Sequence, residues 1–79
     1  MAKMNKIEFV GKVVKPMAMA IDNDITEVTY ETEYTFVDDK PKYYEEFVTI
    51  TFDNVYKRRV NVSGDSLKAI VADVLKVLD

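Results

Sequence analysis

The chain has no cysteine, no histidine and no tryptophan, and only two glycines and two prolines among its 79 residues. Without cysteine, neither a disulfide framework nor a thiolate zinc site is possible, and a reducing cytoplasm is the expected compartment. Without histidine as well, the usual general bases and activated nucleophiles are missing, which leaves paired carboxylates as the remaining catalytic device. Long apolar runs are also missing. The longest, Met17 to Ile21, falls far short of the roughly 20 residues that span a bilayer, so no membrane association is expected. Met1 to Asn5 is polar and lacks the apolar stretch and small-residue cleavage site of an export signal.

What is present is a globular mixture, 48% hydrophobic and 32% charged, unlike the composition of a disordered chain. The length accommodates a single domain, residues 1–79, which on folding buries only about 60% of the surface the unfolded chain exposes. A core that small makes a second copy or a partner a natural way to cover more surface. The net charge is −3 and is segregated. Residues 1–21 carry a net +3, residues 22–46 a net −7 and residues 47–79 a net +1. The middle of the chain is an acidic block.

Alternation identifies strands. Ile7, Phe9, Gly11 and Val13 share one face of a segment from Lys6 to Val14, which Pro16 then ends. From Thr26 to Phe36, Val28, Tyr30, Thr32, Tyr34 and Phe36 alternate with glutamate and threonine, the pattern of a half-buried strand. Asp38 to Pro41 supplies turn chemistry. Phe47 to Phe52 and Val55 to Val62 alternate again, separated by Asp53 and Asn54, which tolerate the positive φ of a tight hairpin. The period then changes: Leu67, Ile70, Val71, Val74, Leu75 and Leu78 follow helical spacing behind a Ser63-Gly64-Asp65-Ser66 start signal. The expected fold is α+β, an antiparallel four-stranded β-meander-like sheet with one C-terminal amphipathic helix packed on one face, in the order β-β-β-β-α. The helix is expected on the face bearing Val28, Tyr30, Tyr34, Phe36, Val48, Ile50, Phe52, Val60 and Val62. Glu27, Glu31, Glu33, Thr35, Thr49, Thr51, Lys57 and Arg59 are left on the other.

Three patterns bear on chemistry. Glu31 and Glu33 lie at i, i+2, about 7 Å apart along a strand. A catalytic carboxylate pair needs a cleft that so small a domain can hardly build, so a solvated strand face is expected and no enzyme. Asp22, Asp24, Thr26 and Glu33 match positions 1, 3, 5 and 12 of a calcium loop, but Glu27 stands where the sharp turn needs glycine; no metal and no cofactor is expected. Lys57, Arg58 and Arg59 form a basic run that alternation splits between two faces. Its expected role is cross-strand pairing with the glutamates.

Met4-Asn5-Lys6-Ile7-Glu8-Phe9-Val10-Gly11-Lys12-Val13-Val14-Lys15-Pro16 resembles the first strand of bacterial single-stranded-DNA-binding proteins of the OB fold. That resemblance implies a small single-strand binder in which Tyr30, Tyr34, Tyr43, Tyr44 and Phe47 would stack on bases. The acidic middle runs against it, since tracking phosphates requires a positive groove, and nucleic acid is not the expected partner. The expected function is a non-enzymatic protein-binding or regulatory module. It would act on a protein partner or its own second copy, as a homo-oligomer, through the acidic sheet face with Glu27, Glu31 and Glu33 or through an apolar loop bearing Met17 and Met19. Small phage-type inhibitors of basic, nucleic-acid-binding partners are one form of such a module.

Overall fold

The computed structural model describes residues 4–78, with the backbone alone of residues 41–43. It is an α+β fold: an N-terminal helix, a three-stranded antiparallel sheet and a C-terminal helix. The strands are β1 (Ile25–Val37), β2 (Lys40–Phe52) and β3 (Tyr56–Asn61), in the spatial order β1-β2-β3.

The segment expected to be the first strand is helical instead. An α-helical turn, Lys6–Phe9, continues through a π-turn, Val10–Val14, into a second α-helical stretch, Lys15–Ile21. Asn5 caps it, its Oδ1 accepting the Glu8 N–H at 2.8 Å while its amide donates to the Glu8 carboxylate at 3.3 Å. The two residues so bond reciprocally at the helix start, with the Asn5 side-chain amide donating where a capping box uses the backbone N–H. Val10, Val14 and Ala18 recur at intervals of four and are all fully buried, which is helical spacing that outweighs the β-branched content of the segment. The π-turn has a local cause. Pro16 has no N–H to offer the carbonyl four residues back, and immediately before it the Lys15 N–H reaches instead to the Val10 carbonyl, five residues back, a wide turn of the type that absorbs such a defect. The resemblance to an OB-fold strand therefore ends at the sequence, and the sheet has three strands where four were expected.

Both helices cover the same sheet face, the N-terminal one along β1 and the C-terminal helix (Leu67–Leu78) along β3, and they touch one another. Their buried residues, Val10, Val14, Ala18, Ile70 and Val74, meet Val28, Val48, Ile50 and Val60 from the strands, with Ile25 and Val62 at strand ends. Every buried hydrophobic residue among those described is valine, isoleucine or alanine. The aromatic residues lie at the margins. Met17 to Ile21 is thus not a loop: Ala18 is buried, Met17 packs against the core, and Met19 and Ile21 face outward.

Both hairpins turn as their residues allow. Asp38 and Asp39 have φ of 52° and 63°, and Asp53 and Asn54 have φ of 53° and 60°, the left-handed region that Asp and Asn tolerate better than other non-glycine residues. The first turn closes at Asp38-Asp39, so Lys40 and Pro41 already belong to β2 and that strand starts seven residues earlier than Phe47. The consequence is a long β1–β2 hairpin. Since β3 pairs only with Phe47 to Phe52, the outer part of the hairpin, beyond the Glu31–Phe47 pair, continues as a two-stranded arm. The C-terminal helix starts where expected, with Ser66 Oγ accepting the Ala69 N–H at 3.2 Å.

Candidate functional site

The uncovered sheet face is read directly from the register. Glu27 lies opposite Thr51 and Lys57, Thr29 opposite Thr49 and Arg59, Glu31 opposite Phe47 and Asn61, and Glu33 opposite Glu45. Residues paired across an antiparallel ladder share a face. Four glutamates therefore share a surface that no helix crosses with three described cations: Lys57, Arg59 and, opposite Val37 near the hairpin turn, Lys40.

Arg59 organises the centre. Its guanidinium lies 3.9 Å from the Phe47 ring centroid, with Nη2 donating to Glu33 Oε1 at 3.0 Å and sitting 4.0 Å from Glu31 Oε2. The pairing of a β3 cation with β1 glutamates that alternation predicts is present, and a ring stacked beneath the guanidinium fixes its plane. Exposed pairs of this kind contribute about 0–1 kcal/mol each, so their importance is positional. Glu45, directly opposite Glu33, has the like-charge neighbour that destabilises a cross-strand pair. Beneath these side chains, Thr49 is buried and its Oγ1 has no hydrogen-bond partner.

Glu27 stands apart at the sheet edge. Lys15 Nζ lies 2.9 Å from its Oε1. The Lys15 hydrogen bond, with help from the Val28 N–H and the ammonium charge, holds its carboxyl below the usual carboxylate range. The structure thus brings Glu31 and Glu33 together on Arg59, places Glu27 on a different cation, and puts Met17 and Met19 on the N-terminal helix, away from all three. Asp22 and Asp24 lie in the loop before β1, about 25–30 Å of extended strand away from Glu33. The calcium-loop pattern is therefore not assembled, and no cluster of three potential metal ligands occurs among the described residues. The described helices include none long and apolar enough to cross a membrane.

Sequence reasoning missed Glu46. It shares the helix-covered face and is 6% exposed. Its Oε2 pairs with the Lys6 ammonium and accepts the Tyr30 hydroxyl at 2.9 Å. Its backbone N–H donates to Ser63 Oγ at 2.9 Å, and its carbonyl accepts the Val62 N–H at 2.8 Å. One residue so joins the N-terminal helix, β1, β2 and the loop before the C-terminal helix. Burial pushes the Glu46 carboxyl up, but the hydrogen bonds from Lys6 and Tyr30, the Lys6 charge and the Gly64 N–H outweigh it and hold the carboxyl below its ordinary value. Desolvation, followed by the Tyr44 and Glu46 contacts, pushes the Tyr30 hydroxyl well up. The signal available in the sequence was parity: Glu46 falls in step with Val48 and Ile50, a charged residue on an apolar face.

Beyond Glu46 the helices end and the arm is bare. Tyr34, Phe36 and Tyr44, on the same face as the core, are 57%, 63% and 48% exposed. The rings gather, with centroids 6.4 Å apart for Tyr34–Phe36 and 4.9 Å for Tyr34–Tyr44. The sequence places Tyr34 and Phe36 on the correct face but expects a helix over them. The Tyr43 side chain lies outside the described residues. No protein-family model, no curated protein and no solved structure matches this chain.

Proposed function

We propose that the chain is a non-enzymatic protein-binding module that docks on a basic partner through its uncovered sheet face. The observation that supports this is the concentration of Glu27, Glu31, Glu33 and Glu45 on a face without a covering helix. Its only arginine is already engaged by two of them. Such a surface raises the local concentration of a cationic partner and speeds encounter, more so at low ionic strength. In a finer form of the reading, the partner is a nucleic-acid-binding protein. The i, i+2 glutamates, repeating at about 7 Å along the strand, would then occupy the sites where it holds phosphates.

The test uses a fluorescein-labelled lysine-rich peptide and a labelled single-stranded oligonucleotide, followed by anisotropy. The peptide should bind, bind more weakly as salt shortens the Debye length from about 30 Å at 0.01 M to about 8 Å at 0.15 M, and lose most affinity to Glu31→Gln/Glu33→Gln/Glu45→Gln. Peptide binding unaffected by the triple change would refute the proposal. Oligonucleotide binding that weakens steeply with salt would favour the single-strand reading in its place.

A further inference from the structure

The geometry points to a second docking surface, the aromatic face of the β1–β2 arm, and to its occupant, the same face of a second copy of this chain. Three observations lead there. The first is electrostatic. The described side chains exposed on this face from the Glu46 level outward, namely Thr32, Tyr34, Phe36 and Tyr44, are all uncharged, whereas the reverse side of the arm presents Glu31, Glu33 and Glu45 together with Lys40. Among the described side chains, the exposed aromatic face carries no charge to repel its own copy, whereas the reverse side sets three glutamates close together.

The second is the layering. Over the sheet proper, the two helices form the second layer; over the arm that layer is missing. A packed sheet lies about 10 Å from its neighbour, close to the diameter of a helix. The arm of a second copy therefore fits the level the helices occupy, beside their ends, and a two-fold axis makes the two vacancies fill one another. The contact is isologous and closed, so it stops at a dimer.

The third is area. A ring of this kind offers about 200 Å², and exposures of 48–63% leave about 110 Å² per ring to bury. Six rings from two copies contribute about 700 Å² of the 1,200 Å² at which stable interfaces begin. Thr32 and the helix ends beside the arm supply the remainder. In a domain whose buried core is aliphatic throughout, Tyr34, Phe36 and Tyr44 form an exposed aromatic cluster.

Sedimentation velocity of the full chain across a concentration series provides the test, since mass action must drive association. The expected result is a shift from the mass of one chain to that of two as concentration rises to about 500 µM, undiminished by salt because no charge pair holds it. Tyr34→Thr/Phe36→Ser should remain a single chain throughout, with circular dichroism confirming the fold; Tyr44→Ser serves in its place should that variant fail to fold. A wild-type protein that stays a single chain at the highest concentration overturns the proposal, as does a folded aromatic variant that still dimerises. Glu31→Gln/Glu33→Gln/Glu45→Gln should dimerise like the wild type. Loss of the dimer in that variant would place the interface on the other face and overturn the proposal, whereas its loss of peptide binding alone concerns only the reading given above.

Discussion

Replacing Glu46 by glutamine removes one negative charge from a site that ties four elements together while keeping the shape of the side chain. Charge-assisted hydrogen bonds contribute about 1.5–3 kcal/mol and neutral ones about 0.5–1.5 kcal/mol. The change weakens the contacts with Lys6 and Tyr30, and the new NH₂ must turn either toward the ammonium or toward the Gly64 N–H. A loss of about 2 kcal/mol is expected. Against a total of roughly 4–12 kcal/mol for a chain of this length, that is a large share, equivalent to a fall in thermal midpoint of about 8–16 °C. The pH dependence follows from the direction of the shift. The folded-state carboxyl titrates below the unfolded value of 4.5, so its contribution is present above that value and is lost as pH falls through the folded one. The gap between wild type and Glu46→Gln should be widest near neutrality and should close in acid. Thermal melts followed by far-ultraviolet circular dichroism between pH 3 and pH 7 measure this. A midpoint within about 2 °C of wild type at pH 7, or a gap that is independent of pH, would refute the account of Glu46.

Other positions give sharper single readouts. Thr49→Val should raise stability in urea denaturation by about 1 kcal/mol, because it removes a buried hydroxyl without a partner and keeps the branched shape; a loss would show that the hydroxyl is satisfied. Ile70→Ala, in the core between helix and sheet, should cost about 2–5 kcal/mol in the same assay, and a cost below 1 kcal/mol would contradict that placement. Asp65 lies against Asp73, whose carboxyl, together with burial, raises the Asp65 pKa. A raised acid favours folding below its unfolded value and penalises it as pH rises, so Asp65→Asn should lift the midpoint by about 2–4 °C at pH 7 and by nothing near pH 3.

The second half of the chain was legible because its periods are unmixed. Val28 to Phe36, Val48 to Phe52 and Leu67 to Leu78 each follow one repeat, and Asp53-Asn54 announced its own turn. The first twenty residues were not, because two periods coexist there: Ile7, Phe9 and Val13 alternate as in a strand, while Val10, Val14 and Ala18 keep the helical interval. Asn5 and Glu8, three apart before an apolar run, were the deciding signal, and Pro16 concealed it by suggesting an end where the helix only widens. On the uncovered face, alternation correctly grouped Glu31, Glu33 and Arg59. It could not show that Glu46 is buried or that the arm outruns its helices, since both depend on where the N-terminal helix begins above β2.

The central claim is that the uncovered face is the binding face. The most direct measurement is a ¹H–¹⁵N correlation spectrum of the labelled protein, followed amide by amide through a titration with the lysine-rich peptide at low salt. The account predicts that the largest shifts fall on Glu31, Glu33, Glu45, Phe47 and Arg59, with Ile70 and Val74 unmoved. Shifts concentrated on the helices, or no shifts at all, would contradict it.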